Sequence, residues 1–215
     1  MAIRVVVVDD HELVRVGIIR TLADVEGIEI VAEAGNGEDA INIARELQPD
    51  VMLMDIKMPG IGGLEATRKL AWQVPHTKVV AVTALEDNPF PSKLLKAGAL
   101  GYISKGAEVS EMVTAIKHAA AGKRYISPII AQQMALDAVD PDNASPFQQL
   151  SERELQICMM IIDGVKVQDI SDKLCLSPKT VNTYRYRIFE KLQINGDVEL
   201  TRLAIRHGLL DEQDI

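Results

Sequence analysis

Between residue 3 and about residue 120 the apolar positions switch repeatedly between two periods. Short apolar-rich runs at 3–8, 28–34, 51–54, 79–83 and 100–103 have the length and β-branched content of strands buried in a sheet. Between them, 11–23, 37–47, 62–72, 91–97 and 108–120 carry apolar residues at the three-to-four spacing of a helix with one buried face. Strict strand–helix alternation predicts an α/β fold: a (βα)5 doubly wound parallel sheet with right-handed crossovers and helices on both faces.

The texture then changes. Ser127-Pro128 is a cap and first-turn pair that opens a helix to about residue 138. Residues 139–146 have no period and contain two prolines, which predicts a tether. From Leu150 to about Leu210 the pattern is all-helical. Ser151 and Glu154 form a capping box, a short helix covers about 167–175, Ser177-Pro178 opens a helix to about 192, and a last helix covers about 198–207. A short helix, a tight turn and a longer polar-faced helix predict a helix-turn-helix. The expected division is a domain at 1–122, a linker with a short helix at 123–149 and an all-α helix-turn-helix domain at 150–215.

Composition narrows the class without changing this picture. The 215 residues have room for one ordinary and one small domain. No apolar run approaches the roughly 18 to 20 residues of a membrane span, and the opening Met1-Ala-Ile-Arg4 lacks a signal peptide's regions, so a cytoplasmic protein is expected. The net charge of -8 argues against a generally basic nucleic-acid binder but allows a local basic surface. Cys158 and Cys175 lie in helical apolar patterns without metal-site spacing and read as reduced core thiols, and the four scattered histidines, His11 included, give no imidazole metal site.

The polar residues at the carboxyl ends of the predicted strands carry the chemistry. Asp9 and Asp10 follow the first strand, Asp55 the third, Thr83 ends the fourth and Lys105 lies just past the fifth. Open parallel sheets place their ligands at that edge. Taken singly, each residue has an ordinary reading as a turn, cap, strand end or solvated charge; packing alone does not ask for all five at one rim. Two charges about 4 Å apart repel by about 4 kcal/mol at an effective dielectric near 20, so three acids require a cation. Hard oxygen donors suit Mg²⁺. An Asp carboxylate beside Mg²⁺ and a lysine is equipped to take a phosphoryl group.

On a helical wheel of residues 178–193, Val181, Tyr184, Ile188 and Leu192 form the core stripe. Lys179, Asn182, Thr183 and Tyr186 lie opposite, flanked by Arg187 and Lys191 on one side and Arg185 on the other. A polar centre with cationic edges suits a major-groove helix, with phosphates at the edges and bases in the middle. Residues 177–207 hold six Lys or Arg against three acids, a positive excess in an acidic chain. The plain alternative is a solvated amphipathic helix, and the order of the elements favours DNA over it.

With those residues in view, residues 1 to about 122 resemble the receiver domain of two-component response regulators. The resemblance implies Asp55 as phosphoacceptor, Mg²⁺ held by Asp9, Asp10, Asp55 and the Lys57 carbonyl, Thr83 as switch hydroxyl, Lys105 as phosphoryl contact and Tyr102 as the aromatic that turns inward. Leu150 to Leu210 resembles the output domain of the LuxR/FixJ (NarL) family, with Leu176-Ser-Pro-Lys-Thr-Val-Asn-Thr-Tyr184 covering the turn and recognition helix. The candidate DNA contacts are then Lys179, Thr180, Asn182, Thr183, Arg185, Tyr186, Arg187 and Lys191. Met58-Pro-Gly-Ile-Gly-Gly-Leu-Glu-Ala-Thr-Arg68 and the Lys179-to-Lys191 segment look like the GacA/UvrY group. That group implies a GacS/BarA-like sensor histidine kinase, homodimerisation on double-stranded DNA and activation of small regulatory RNA genes.

Two other classes compete. A phosphohydrolase using Asp55 as nucleophile wants a second Asp two positions on, where this chain has Lys57, so no turnover enzyme is expected. A signalling adaptor would use the C-terminal helices to bind protein instead of DNA.

Overall fold

The computed structural model describes residues 2–83, 90–139 and 145–210. Contacts divide the chain into two units, the first extending to Ala135 and the second starting from Leu136. Most of the predicted tether, residues 140–144, lies outside the described residues.

In the first unit the strands are β1 (Ile3–Val8), β2 (Ile28–Ala34), β3 (Val51–Asp55), β4 (Lys78–Thr83), β5 (Gly101–Ser104) and β6 (Tyr125–Ile126). The helices are α1 (Glu12–Ala23), α2 (Gly37–Leu47), α3 (Gly62–Gln73), α4 (Phe90–Ala97), α5 (Val109–Ala120) and α6 (Pro128–Val139), whose last four residues fall to the second unit. All strand pairs are parallel, in the order β2-β1-β3-β4-β5-β6. The order reverses between β1 and β3, where a doubly wound sheet opens its ligand crevice.

Strand alternation sorts the core into two layers. Val5, Val7, Leu53, Val80, Val82 and Ile103 pack with Ile18 and Leu22 of α1 and Met112, Ala115 and Ile116 of α5. Val6, Val8, Met52 and Met54 pack with Ala40, Ile41 and Ala44 of α2 and Ala66 and Leu70 of α3. A strand buried on both faces therefore has no polar position until it emerges, and in β3 that position is Asp55.

One strand was absent from the sequence reading. β6 falls inside the segment expected to be linker, and pairs Gly101 with Tyr125 and Tyr102 with Ile126. Two residues are too few to show a period.

The second unit contains a 3-10 turn at Pro146–Gln149, then α7 (Glu152–Ile162), α8 (Val167–Leu174), α9 (Pro178–Leu192) and α10 (Asp197–Arg206). The capping box at the start of α7 is present in full. α9 packs on both α7 and α8, and α10 packs on α7. Val181, Ile188 and Leu192 of α9 are buried and Tyr184 is half-buried, which is the core stripe the wheel indicates. The α8–α9 turn is made by a left-handed Cys175 (φ 53) and a Leu176 amide that donates to the Ser171 carbonyl at 2.9 Å. Cys158 is buried, as expected of a core thiol; Cys175 is exposed, because it is the helix C-cap and not part of the apolar face.

Candidate functional site

β1 and β3 deliver the acidic cluster, and β5 leads into the lysine that meets it. Asp9, Asp10, His11 and Asp55 each bring a side-chain ligand atom within 4.8 Å of the others. Asp9 and Asp55 are buried, whereas Asp10 is more open. Lys105 bridges the two buried acids, with Nζ 2.7 Å from Asp9 Oδ2 and 2.9 Å from Asp55 Oδ2. The Lys105 backbone is placed by its amide, which donates to the Thr83 carbonyl at 2.6 Å.

Each acid is oriented by a neighbour. The Ile56 amide donates to Asp55 Oδ1 at 2.7 Å, leaving Oδ2 toward the lysine. The His11 amide donates to Asp9 Oδ1 at 2.9 Å, and Arg15 Nη1 donates to the Asp9 carbonyl at 2.7 Å. His11, expected to be no metal ligand, has Nδ1 3.0 Å from Asp10 Oδ1. The available signal was its adjacency to the Asp9-Asp10 pair.

Burial and the lysine pull the site's electrostatics in opposite directions. Burial pushes the Asp55 carboxyl up to about 6, against the lowering effect of Lys105. Burial works against the Lys105 charge, but Asp55 and Asp9 outweigh it and leave its pKa above the usual value.

Thr83 ends β4 with 1% exposure, and Tyr102 lies fully buried in β5. The Thr83 side chain lies close enough to the Tyr102 hydroxyl to lower its pKa. Burial dominates and pushes the phenol above its ordinary range. Lys57 follows Asp55 by two residues in the loop that leads to α3. The segment directly after Thr83, residues 84–89, is outside the described residues.

The outer face of α9 exposes Lys179, Thr183, Tyr186, Arg187 and Glu190, with Asn182 half-buried. Tyr186 is 72% exposed. The Thr180 hydroxyl lies 2.8 Å from Ser177 Oγ, within the helix cap. Two of the flanking cations are engaged inside the unit. Arg185 Nε donates to Asp197 Oδ1 at 3.0 Å while its Nη2 pairs with Asp197 Oδ2, and its guanidinium lies over the Phe189 ring. Lys191 Nζ lies 2.7 Å from Glu154 Oε2.

A parallel sheet with acids at its switch point, followed by a helix-turn-helix unit, defines a two-component response regulator. Residues 5–117 match the response regulator receiver domain and residues 148–204 the bacterial regulatory proteins of the luxR family. The chain belongs to the LuxR-type response regulators: a receiver domain joined to a DNA-binding, transcription-regulating domain, a class served by histidine kinases. It is 65% identical over 210 residues to the response regulator GacA of Pseudomonas viridiflava, covering 97% of this chain and 98% of that one. It is 56% identical over 214 residues to the response regulator UvrY of Escherichia coli K12, covering 99% and 98%. A solved structure of RcsB from Salmonella enterica serovar Typhimurium, bound to promoter rprA in the presence of a phosphomimetic, matches in fold. Its TM-score is 0.73 at 22% identity, over 94% of this chain and 98% of that one. Among the described residues, no helix is long and apolar enough to cross a membrane.

Proposed function

We propose that Asp55 accepts a phosphoryl group from a phosphohistidine of a GacS/BarA-like sensor kinase in the cytoplasm. The phosphorylated chain then binds double-stranded DNA as a homodimer and activates small regulatory RNA genes. The observation that carries this reading is the meeting of Asp55 Oδ2 and Lys105 Nζ at 2.9 Å, with Asp9 and Asp10 beside them. The near-full-length identity to proteins named GacA and UvrY supports the choice of kinase and target class.

Three carboxylates whose oxygens lie within 4.8 Å, against one lysine, form a hard-donor set suited to a divalent cation. Asp9, Asp10, Asp55 and the Lys57 carbonyl would hold Mg²⁺, which when bound neutralises the charge on a phosphoryl group in transfer. Asp55 Oδ1 is held by the Ile56 amide, so Oδ2 is the attacking atom. The new O–P bond forms as the P–N bond to the donor imidazole breaks, and the electron pair leaves with that nitrogen. The Lys105 ammonium turns from the carboxylate to a phosphoryl oxygen. The Thr83 hydroxyl donates to another phosphoryl oxygen, with Tyr102 buried behind it as the packing partner of that position. The chain gains and loses its own phosphoryl group and turns over no substrate.

On the output side, Lys179 and Arg187 contact phosphates, and Asn182, Thr183 and Tyr186 face the bases. Thr180, Arg185 and Lys191 border that surface and hold the helix in place, through the contacts described above. The division of labour is a receiver at 1–122, a linker at 123–149 and an output domain at 150–215.

The test is phosphotransfer from a ³²P-labelled phosphohistidine donor to wild type and Asp55→Asn. The variant is expected to incorporate no label while keeping its circular dichroism; incorporation equal to wild type overturns the assignment.

A further inference from the structure

The loop from Asp55 to α3 is gripped from outside the acidic cluster by a residue that nothing in the phosphoacceptor chemistry calls for. α2 begins directly on top of that loop: a Cβ added to Gly37 would fall 2.9 Å from Ile61 Cγ1 and 3.0 Å from Ala66 Cβ. The next side chain, Glu38, reaches across, and its Oε1 accepts from the Ile61 amide at 3.2 Å. Both Glu38 oxygens rest against Gly60, where an added Cβ would lie 2.5 Å from Oε2 and 2.7 Å from Oε1. Gly60 itself has φ +87, a backbone conformation that L side chains rarely adopt.

The carboxylate is not needed by its own helix. The α2 N-terminus is capped by Asn36, whose Oδ1 accepts from the Asp39 amide at 2.8 Å. Moreover, Glu38 Oε2 is fully buried and has no hydrogen-bond partner among the described residues. A buried, unpartnered carboxylate oxygen is a cost a stable fold does not accept without cause. The loop is also tied at its start by the Ile56 amide on Asp55 Oδ1, and at its end by the Gly63 amide on the Ile56 carbonyl at 3.0 Å. Glu38 adds a tie from α2 at Ile61, the residue that leads into α3.

We propose that Glu38 is a positioning residue for the phosphoacceptor loop. It fixes the Gly60–Ile61 backbone and thereby holds the 55–61 segment, with Asp55 and the Lys57 carbonyl, in the arrangement that binds a divalent cation. This rests on the reading of the acidic cluster as a Mg²⁺ and phosphoryl site. A neutral oxygen acceptor of the same length serves the Ile61 amide, so glutamine substitutes for glutamate; alanine removes the tie, and aspartate is one methylene too short to reach.

The experiment titrates MgCl₂ into the ¹⁵N-labelled full chain, without phosphoryl donor, and follows the amide signals of the 55–63 loop. Urea unfolding midpoints are recorded in parallel. Wild type is expected to bind. Glu38→Ala and Glu38→Asp are expected to bind at least fivefold more weakly, and Glu38→Gln within twofold of wild type. A role in stability alone would lower the urea midpoint and leave the Mg²⁺ affinity of the folded chain within twofold, which overturns the inference while leaving the site reading intact. Glu38→Gln binding as weakly as Glu38→Ala also overturns it. Should Glu38→Ala fail to fold, Glu38→Asp decides by the same criterion. A wild-type chain that binds no Mg²⁺ overturns the site reading, and the inference with it.

Discussion

Lys191 Nζ and the Ser151 amide converge on one oxygen of Glu154, Oε2, each at 2.7 Å. Glu154 is buried, and it closes the α7 capping box while anchoring the far end of α9. Burial raises its pKa, but the Lys191 and Ser151 hydrogen bonds outweigh this and hold it below the usual carboxylate range. The group therefore contributes stability at pH values above its unfolded pKa of 4.5, and that contribution is lost as pH falls through the lower folded value. Lys191→Ala leaves a buried carboxylate without its cation. A loss of about 2 kcal/mol in the unfolding of the helical unit is expected at pH 7, shrinking as the pH falls below 4.5. Urea unfolding followed by circular dichroism checks it; an unchanged midpoint at pH 7 would sink the structural role.

The same logic separates the cations of α9 by function. Lys179 and Arg187 are exposed on the outer face, whereas Arg185 is committed to Asp197 and Phe189. A phosphate contact releases counterions, so Lys179→Ala and Arg187→Ala are each expected to lower the slope of log K against log salt by about one. Arg185→Ala is expected to leave the slope unchanged and to reduce stability by under about 1 kcal/mol. Salt titrations of binding to duplex DNA distinguish the two groups, and an Arg185→Ala slope reduced by one would place that residue on the phosphates instead.

The alternation of strand and helix periods was legible because a doubly wound sheet buries its strands on both faces, leaving Asp9 and Asp55 as the first polar side chains at the rim. The pairing register then does the rest: Val8 sits opposite Met54 and Asp55 opposite Val82, which brings three strand ends to one level. What the sequence hides is who meets whom across elements. A wheel gives the angle of Arg185 and Lys191 but not the Asp197 and Glu154 that claim them. Glu38 and Ile61 are distant in sequence and follow no shared period. β6 is too short to have a pattern, and Cys175 looked apolar because a helix C-cap continues the spacing of the helix it ends.

Burial makes the folded chain resist the ionisation of Asp55. Its pKa rises from 3.8 unfolded to about 6 folded, so the folded chain holds the proton more tightly. Stability is consequently lost as pH rises through that window, and the penalty is complete above about pH 6. At about 1.4 kcal/mol per unit the penalty amounts to about 3 kcal/mol. In EDTA, Asp55→Asn is expected to unfold at higher urea than wild type at pH 7.5, by about 2 to 3 kcal/mol in the receiver unit. The two are expected to converge as the pH falls toward 4. A gap that stays constant from pH 4 to 7.5 would mean that the ionisation of Asp55 is not its source.

Two glycines with opposite surroundings give the sharpest test of packing at the site. A Cβ on Gly63, in the first turn of α3, would fall 1.9 Å from the Asp55 carbonyl oxygen and 2.8 Å from Ile56 Cα. Both are backbone atoms of the strand end that carries Asp55, so the clash cannot be relieved by turning a side chain. Gly17 sits in mid-α1 with nothing within 4 Å of its added Cβ. Gly63→Ala is expected to cost at least about 3 kcal/mol, or else to push Asp55 out of reach of Lys105 and abolish phosphorylation. Gly17→Ala is expected to gain about 0.5 to 1 kcal/mol, because alanine removes backbone freedom from the unfolded chain and favours the helix. Thermal or urea unfolding of both variants, with phosphotransfer measured on whichever folds, decides the matter. A Gly63→Ala protein with wild-type stability and phosphotransfer would show that α3 does not rest on the Asp55 backbone.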